Sequence, residues 1–447
     1  MNIQEFQTKL ISEAQANGFS DVEIYFEKKE VFGCQVHNGE IEQYELAEDG
    51  GVSFRGVIDG KMGYAYTEKI DEASIPFLLK NATENASLID DDDMEEIFAG
   101  SPHYEQGNFF SAELNEVSIA EKIQFIKEVE QEVLAYDPRI VATDYCMLRS
   151  ESITKNLANN KGLALTDQIN YLYAHLLAIA NNGEETKTAF EFTMTRDFNS
   201  LNAKDFAKKI AEAVLSQLGS KNIPSKEYQI LLRNDAAASL FAAFSDNFSA
   251  ENTQAGLSAL KDKLGQPIAN QNITIVDDPF LEEGPASRTF DSEGVASQKL
   301  TLVESGVLQS LLHNQKTAKK DQTETTGHAH KDSYKGAVKV GPSNLYIEPA
   351  STSLEQLIAV VDEGVLITNL SGLHSGTNKV SGDFSVAANG FYIKDGKVQY
   401  PVNLMTIAGN FYQLLQDVQE VGSDLTFPLS PIGSPSILIK SLSVTVE

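Results

Sequence analysis

The stretch Gly372-Leu373-His374-Ser375-Gly376-Thr377-Asn378-Lys379-Val380-Ser381-Gly382-Asp383-Phe384-Ser385-Val386-Ala387-Ala388-Asn389-Gly390, continuing to Asn410, is the most unusual run in the chain. Its small residues at Ser381, Gly382, Ser385, Ala387, Ala388 and Gly390 take side-chain bulk out of an extended segment, so another backbone can approach closely. The plain reading is a tight crossing inside a sheet. The functional reading is a groove in which a peptide adds as one more strand. It makes Ser381, Gly382, Asp383, Phe384 and Ser385 candidate peptide-binding residues, with His374 in the Gly-rich loop Gly372 to Gly376 beside them.

Working outward, this run belongs to a segment that opens near Tyr228 with a short strand, Gln229 to Leu232. A helix from Ala236 to Asn247, capped by Asn234 or Asp235, follows, and Gly-punctuated β stretches then extend to a last strand at Val444 to Val446. The segment before it starts with Ser118-Ile119-Ala120-Glu121, a capping box whose hydroxyl and carboxylate each satisfy an orphan backbone donor. Ile119, Ile123, Ile126, Val129 and Val133 mark an amphipathic helix there. A meander from Ile140 to Thr195 is broken at Asn159-Asn160-Lys161-Gly162 and Asn181-Asn182-Gly183, and a helix striped by Phe206, Ile210, Val214 and Leu218 closes the segment. The first segment repeats the order: helix with Ile3, Phe6, Leu10 and Ala14, strands turned at Asn38-Gly39 and Asp59-Gly60, helix from 72 to 89. The acidic stretch Asp90 to Glu96 reads as a solvated linker. The expectation is an α+β protein: residues 1–100 a helix-plus-antiparallel-sheet domain, 101–222 a helix-meander-helix domain, 223–447 a β-rich C-terminal domain.

The length of 447 residues suits two or three cores, and 42% hydrophobic with 22% charged residues is ordinary globular composition. With 35 basic and 64 acidic residues the net charge is −29, which repels polyphosphate and argues against nucleic acid as a partner. No run of 18 apolar residues suggests a membrane span, and the N-terminus lacks the basic start and apolar stretch of a secretory signal, so a cytoplasmic location is expected. Cys34 and Cys146 read as buried thiols.

Hydrolysis needs an activated nucleophile or a metal that makes one. None of the seven histidines is followed by Glu, so the His-Glu metal-helix pattern is absent, and there is no Gly-x-Ser-x-Gly elbow and no phosphate loop. His328 and His330, two apart, could share a strand face but have no obvious third ligand and read as loop or surface residues. Asp277-Asp278 and Glu282-Glu283 read as solvated turns, since adjacent acids in a strand point to opposite faces.

The run from Gly372 onward resembles the C-terminal signature of the TldD/PmbA family, on the PmbA side, also called TldE. The likeness extends through Ile273 to Pro279, Phe290 to Val295, Thr326-Gly327-His328-Ala329 and Pro342 to Pro349, and reaches Val22 to Tyr25 and Gly63 to Thr67. The resemblance implies proteolysis of unstructured peptides, antibiotic precursors and a small antitoxin among them, and carries an older label, modulator of DNA gyrase. In the TldD branch it implies a zinc peptidase with two histidines and a glutamate on one helix and a distant cysteine. Alignment puts Phe241 and Asp246 in this chain where those histidines would stand and Ala242 where the glutamate would, and the tail from Asp424 to Ile439 has no cysteine. What the resemblance implies is therefore a metal-free, non-catalytic subunit without a cofactor of its own, zinc belonging to a TldD-type partner. The partner would form a heterodimer enclosing a chamber, with a homodimer as the alternative assembly. Two competing expectations stand beside it: an autonomous metallopeptidase with a relocated site at His328, His330 and His374, and a homodimeric peptide-binding protein.

Overall fold

The computed structural model describes residues 1–88 and 96–446; most of the expected acidic linker lies outside them. The protein is α+β with mainly antiparallel sheets. It opens with helix α1 (Ile3–Ala16), capped by a reciprocal box between Asn2 and Glu5, and three strands, β1 (Asp21–His37), β2 (Glu40–Ile58) and β3 (Lys61–Thr67). The two hairpin turns are built as their dipeptides demand, with positive φ at Asn38 and Gly39 and at Asp59 and Gly60. Helix α2 (Ser74–Ser87) follows. After it come α3 (Ile119–Tyr136), which carries the Ser118–Glu121 capping box, then β4 (Ile140–Asn159), β5 (Ala164–Asn181), β6 (Thr186–Thr195) and α4 (Ala203–Leu215), capped by Asn202.

These six strands form one sheet in the order β3-β2-β1-β4-β5-β6. The link is an antiparallel pairing of β1 with β4 that holds from Glu23↔Asn159 to Val36↔Cys146. Strand β1 is long enough to serve two cores. Val22, Ile24 and Phe26 pack under α1 and α2, whereas Phe32, Cys34 and Val36 pack under α3 and α4. Both cysteines are free and buried there, and burial raises both thiols above their ordinary value. No described helix is long and apolar enough to cross a membrane.

The third segment is built on a closed ring of strands. Strand β7 (Lys226–Leu232) pairs in parallel with β8 (Glu363–Ser371), β8 pairs with β9 (Asp383–Lys394), β9 with β10 (Met405–Asn410), β10 with β11 (Ile437–Val446), and β11 returns to β7. Closure leaves these five strands no free edge along their paired lengths. Helix α5 (Asn234–Phe244) follows β7 and packs into the segment's large apolar core.

The first sheet meets the third segment through an apolar cluster of Tyr25, Leu157, Leu163, Phe290 and Tyr334 and through a buried charge network. Arg55 donates two bonds to Glu23, at 2.9 and 3.1 Å, and lies 3.7 Å from Glu293. The Lys331 ammonium donates to Ser53 Oγ at 2.8 Å and sits 4.9 and 5.2 Å from the ring centres of Tyr25 and Tyr64. Burial pulls its pKa down to about 7 and pushes that of Glu293 up to about 7.

Candidate functional site

Helix α5 and the turn that follows it carry Phe241, Ala242 and Asp246, the three positions at which the resemblance places metal-site residues. Its start differs from the expected one by two residues: it begins at Asn234, Arg233 is the residue before it, and no side chain of Arg233 caps it. The exposed backbone donors are met otherwise. Ser436 Oγ accepts the Asn234 N–H at 3.0 Å, and the Asp235 carboxylate accepts the Ala236 N–H at 2.9 Å. Its end also comes early. The α-helix stops at Phe244 and tightens into a 3₁₀ turn, Ser245–Phe248, so Asp246 lies beyond it.

Phe241 is 1% exposed and stands in a cluster of rings. Phe411 is stacked with it at 6.4 Å, Phe248 meets it edge-on at 6.1 Å, and Phe244 stacks on Phe411 at 4.5 Å. Ala242 is half-buried against the same core. Asp246 is exposed, and its carboxylate is paired at 2.6 Å with the ammonium of Lys379, from the run that opens the sequence analysis. Zinc takes nitrogen, sulfur or oxygen donors. A phenyl ring and a methyl group provide none, and the one carboxylate already faces a cation, so these residues do not fit the metal.

The run around Lys379 is folded against this turn. Gly372 to Gly376, expected as a loop, is a short helical turn, Leu373–Gly376, entered through Gly372 at φ 79°. His374, Ser381, Asp383 and Ser385 are exposed, while Gly382 and Phe384 are buried. Ser381 Oγ donates to Asp383 at 2.8 Å, and Asn410 Nδ2 donates to the Ser381 carbonyl and the Asp383 carboxylate at 2.8 and 2.9 Å. Gly382 adopts φ 85°, where a Cβ would also press to 2.5 Å from the Tyr412 ring.

Strand β9 is internal, as the plain reading of its small residues has it. A Cβ at Gly390 would come within 2.0 Å of the Leu366 carbonyl oxygen, a close backbone crossing of the anticipated kind. From Asp383 to Ala388 one side of β9 is bonded to β10; the other meets β8 from Ala387 on, and Thr377 and Asn378 reach Phe384 and Asp383. Addition of a peptide strand at Asp383 to Ala388 therefore finds both sides engaged.

The relocated metal site is not assembled. His328 is 2% exposed, and both ring nitrogens are committed: Nε2 to the Asp277 carboxylate at 3.0 Å and Nδ1 to Thr326 Oγ1 at 2.8 Å. His330 instead lies 3.4 Å from Asp332, and His374 is on the exposed turn. Among the described residues no group of three or more His, Cys, Asp or Glu is placed to hold a metal ion.

Asp277 corrects the solvated-turn expectation. It is fully buried in a strand, accepting from His328, from the Ser343 hydroxyl and from the Ser343 N–H at 2.9 Å. Burial alone would raise its carboxyl; the bonds from His328 and Ser343 outweigh that and hold it below the ordinary value. Nothing local in the sequence signals this network, because its members are tens of residues apart. Phe411 and Lys379 were missed for the same reason.

Three sequence profiles match the chain: PmbA/TldA metallopeptidase domain 1 at residues 22–86, the central domain at 112–218 and the C-terminal domain at 225–446. A metalloprotease PmbA homolog of Haemophilus influenzae is 27% identical, over 91% of this chain and 88% of its own length. A crystal structure from Thermotoga maritima, described as a candidate modulator of a DNA gyrase, is 32% identical, covers 99% of this chain and 100% of that one, and superposes with a TM-score of 0.92. The crystal structure of TldE from Thermococcus kodakarensis is 24% identical, covers 98% and 100%, and shares the fold with a TM-score of 0.90.

Proposed function

Because this chain belongs to the PmbA/TldD metallopeptidase family, we propose that it is the non-hydrolytic subunit of a TldD-type peptidase, binding unstructured peptide while a partner subunit supplies zinc and the cleaving groups. The observation that carries this reading is the substitution of chemistry at α5. Phe241 is an integral ring of a packed cluster, Ala242 cannot accept a proton, and Asp246 is neutralised by Lys379.

Peptide would lie over the exposed face formed by His374, Ser381, Asp383 and Ser385 beside the Asp246–Lys379 pair, held through side chains. The acidic surplus of the chain favours peptides that carry basic residues. The working assembly is a heterodimer with a TldD-like subunit, and it acts in the cytoplasm.

The test is reconstitution. The chain alone, the TldD-type subunit alone and the two together are assayed on an unfolded peptide, with their assembly followed by light scattering. Cleavage only where the TldD-type subunit is present, enhanced by this chain through a one-to-one complex, supports the proposal. Cleavage by the isolated chain, or a chain that remains a homodimer and leaves the other subunit's activity unchanged, overturns it.

A further inference from the structure

Strand β2 is paired on one side only over its first half. From Glu40 to Asp49 it is bonded to β1, while β3 takes the other side only from Val52 to Ile58. No other described strand or turn bonds its main chain between Glu40 and Asp49. Every second residue of an antiparallel strand directs its N–H and C=O away from the neighbour it pairs with, so a row of unpaired donors and acceptors about 33 Å long faces outward.

The sheet face under the helices is unfinished at the same place. Ile41, Tyr44 and Leu46 stand opposite Val36, Cys34 and Phe32, so they continue the row that α3 and α4 bury. They are nevertheless 42%, 52% and 67% exposed, Tyr44 meeting Phe32 edge-on at 5.7 Å. An edge guarded merely against aggregation carries charge or proline; it does not need apolar side chains in register with a core.

Charge decides what fits. Glu40, Glu42, Glu45, Glu48 and Asp49 lie in this stretch, and no basic residue does. Three of the acids are engaged within the sheet: Glu42 accepts from Gln35 at 2.8 Å, Glu45 pairs with Arg149 at 2.7 Å and Glu48 with Lys28 at 3.2 Å. Glu40 and Asp49, towards its two ends, make no hydrogen bond or ion pair among the described residues. Two copies of this edge set against each other would gather twice these carboxylates without one cation from either edge, and like charges across a strand pair destabilise it. A second copy is therefore the wrong occupant. The two faces also differ. Glu40, Glu45 and Asp49 stand opposite His37, Gly33 and Lys29, on the face away from the apolar row.

We propose that this edge of β2 takes up an unstructured peptide as an added strand, one whose sequence alternates basic and apolar residues. Its main chain pairs with the free edge, its apolar side chains cover Ile41, Tyr44 and Leu46, and its Lys or Arg side chains lie over Glu40, Glu45 and Asp49. This deepens the peptide-binding reading by naming a sequence pattern and a second place of contact, and it rests on that reading for the occupant being a peptide.

Titration calorimetry and amide hydrogen exchange on the full chain, with its own assembly followed by sedimentation, test the proposal. The probes are a blocked nonapeptide alternating Lys and Val, the same peptide with Glu in place of Lys, and the Lys peptide N-methylated at every residue. The Lys peptide should bind saturably and at least about tenfold tighter than the Glu peptide, because the edge is acidic. N-methylation keeps the charge and removes the main-chain donors, so it should cost at least about tenfold as well. At saturation the outward amides between Glu40 and Asp49 should exchange at least about tenfold more slowly. Glu40→Gln combined with Asp49→Asn, at two exposed positions, should weaken the Lys peptide at least about threefold and flatten its salt dependence. Equal binding of the N-methylated peptide, protection that spares Glu40 to Asp49, or no saturable binding overturns the proposal. Self-association of the chain that protects the same amides also overturns it, by making a second copy the occupant. Reconstitution reads cleavage in the presence of a TldD-type subunit, whereas these titrations read the chain alone, so either reading can fail without the other.

Discussion

Truncating Phe241 to Ala removes a side chain that is 1% exposed and stacked against Phe411 and Phe248. Its ring cannot be replaced by collapse, because Phe244 and Phe411 are already fixed against each other at 4.5 Å. Buried Phe-to-Ala changes cost about 3–5 kcal/mol, the transfer of the ring plus the cavity it leaves. For the third segment, about 220 residues, each kcal/mol lowers the melting temperature by about 2–4 °C, so a fall of about 6–20 °C is expected. Phe241→Leu keeps most of the volume and should cost about 1 kcal/mol. Differential scanning calorimetry, with chemical denaturation followed by tyrosine fluorescence, reads both variants. A loss below about 1 kcal/mol for Phe241→Ala would refute the reasoning, since the ring would then not be filling the place where a metal ligand is expected.

Lys379→Ala breaks an ion pair whose two side chains are 52% and 57% exposed; the stability loss should stay within about 1 kcal/mol and shrink further in 1 M salt, checked by denaturation at two salt concentrations. Lys331→Met should stabilise the protein by about 1–3 kcal/mol at pH 6 and by little at pH 10.5. The folded pKa of Lys331 is lowered to about 7 from 10.5, so the unfolded chain binds the extra proton between those values and the cost of burying the ammonium grows as pH falls through that window; urea melts at the two pH values check the sign. Cys34 and Cys146 are buried with raised pKa values, so a thiol reagent should label neither in the native state at pH 7 and both after unfolding.

The hairpins and helix caps were legible because each depends on a few adjacent residues. Asn38-Gly39, Asp59-Gly60 and Ser118 to Glu121 all perform as their chemistry requires. The close crossing at Gly390 was legible from residue size alone. Partners distant in the chain were not. Closure of the third sheet depends on the parallel pairing of Gly364 to Ile367 with Gln229 to Leu232, and no local pattern fixes which strand lies beside which. Of the small residues, Ala387, Ala388 and Gly390 admit β8, as the plain reading of a tight crossing has it, whereas Ser381 to Ser385 lie outside that pairing. At the candidate site, Phe241, Ala242 and Asp246 were identifiable through resemblance, whereas the ring of Phe411 and the cation of Lys379 required the fold. Asp277 misled because two adjacent acids suggest solvent, while one of them is bonded to a histidine and a serine more than 50 residues away.

The most direct measurement is metal content. The chain, purified alone and without chelator, should contain less than about 0.1 zinc per molecule, and equilibrium dialysis against micromolar Zn²⁺ should show no site stronger than those of an ordinary acidic surface. One tightly held zinc per chain, lost when Asp246 is replaced by Ala, would contradict the account.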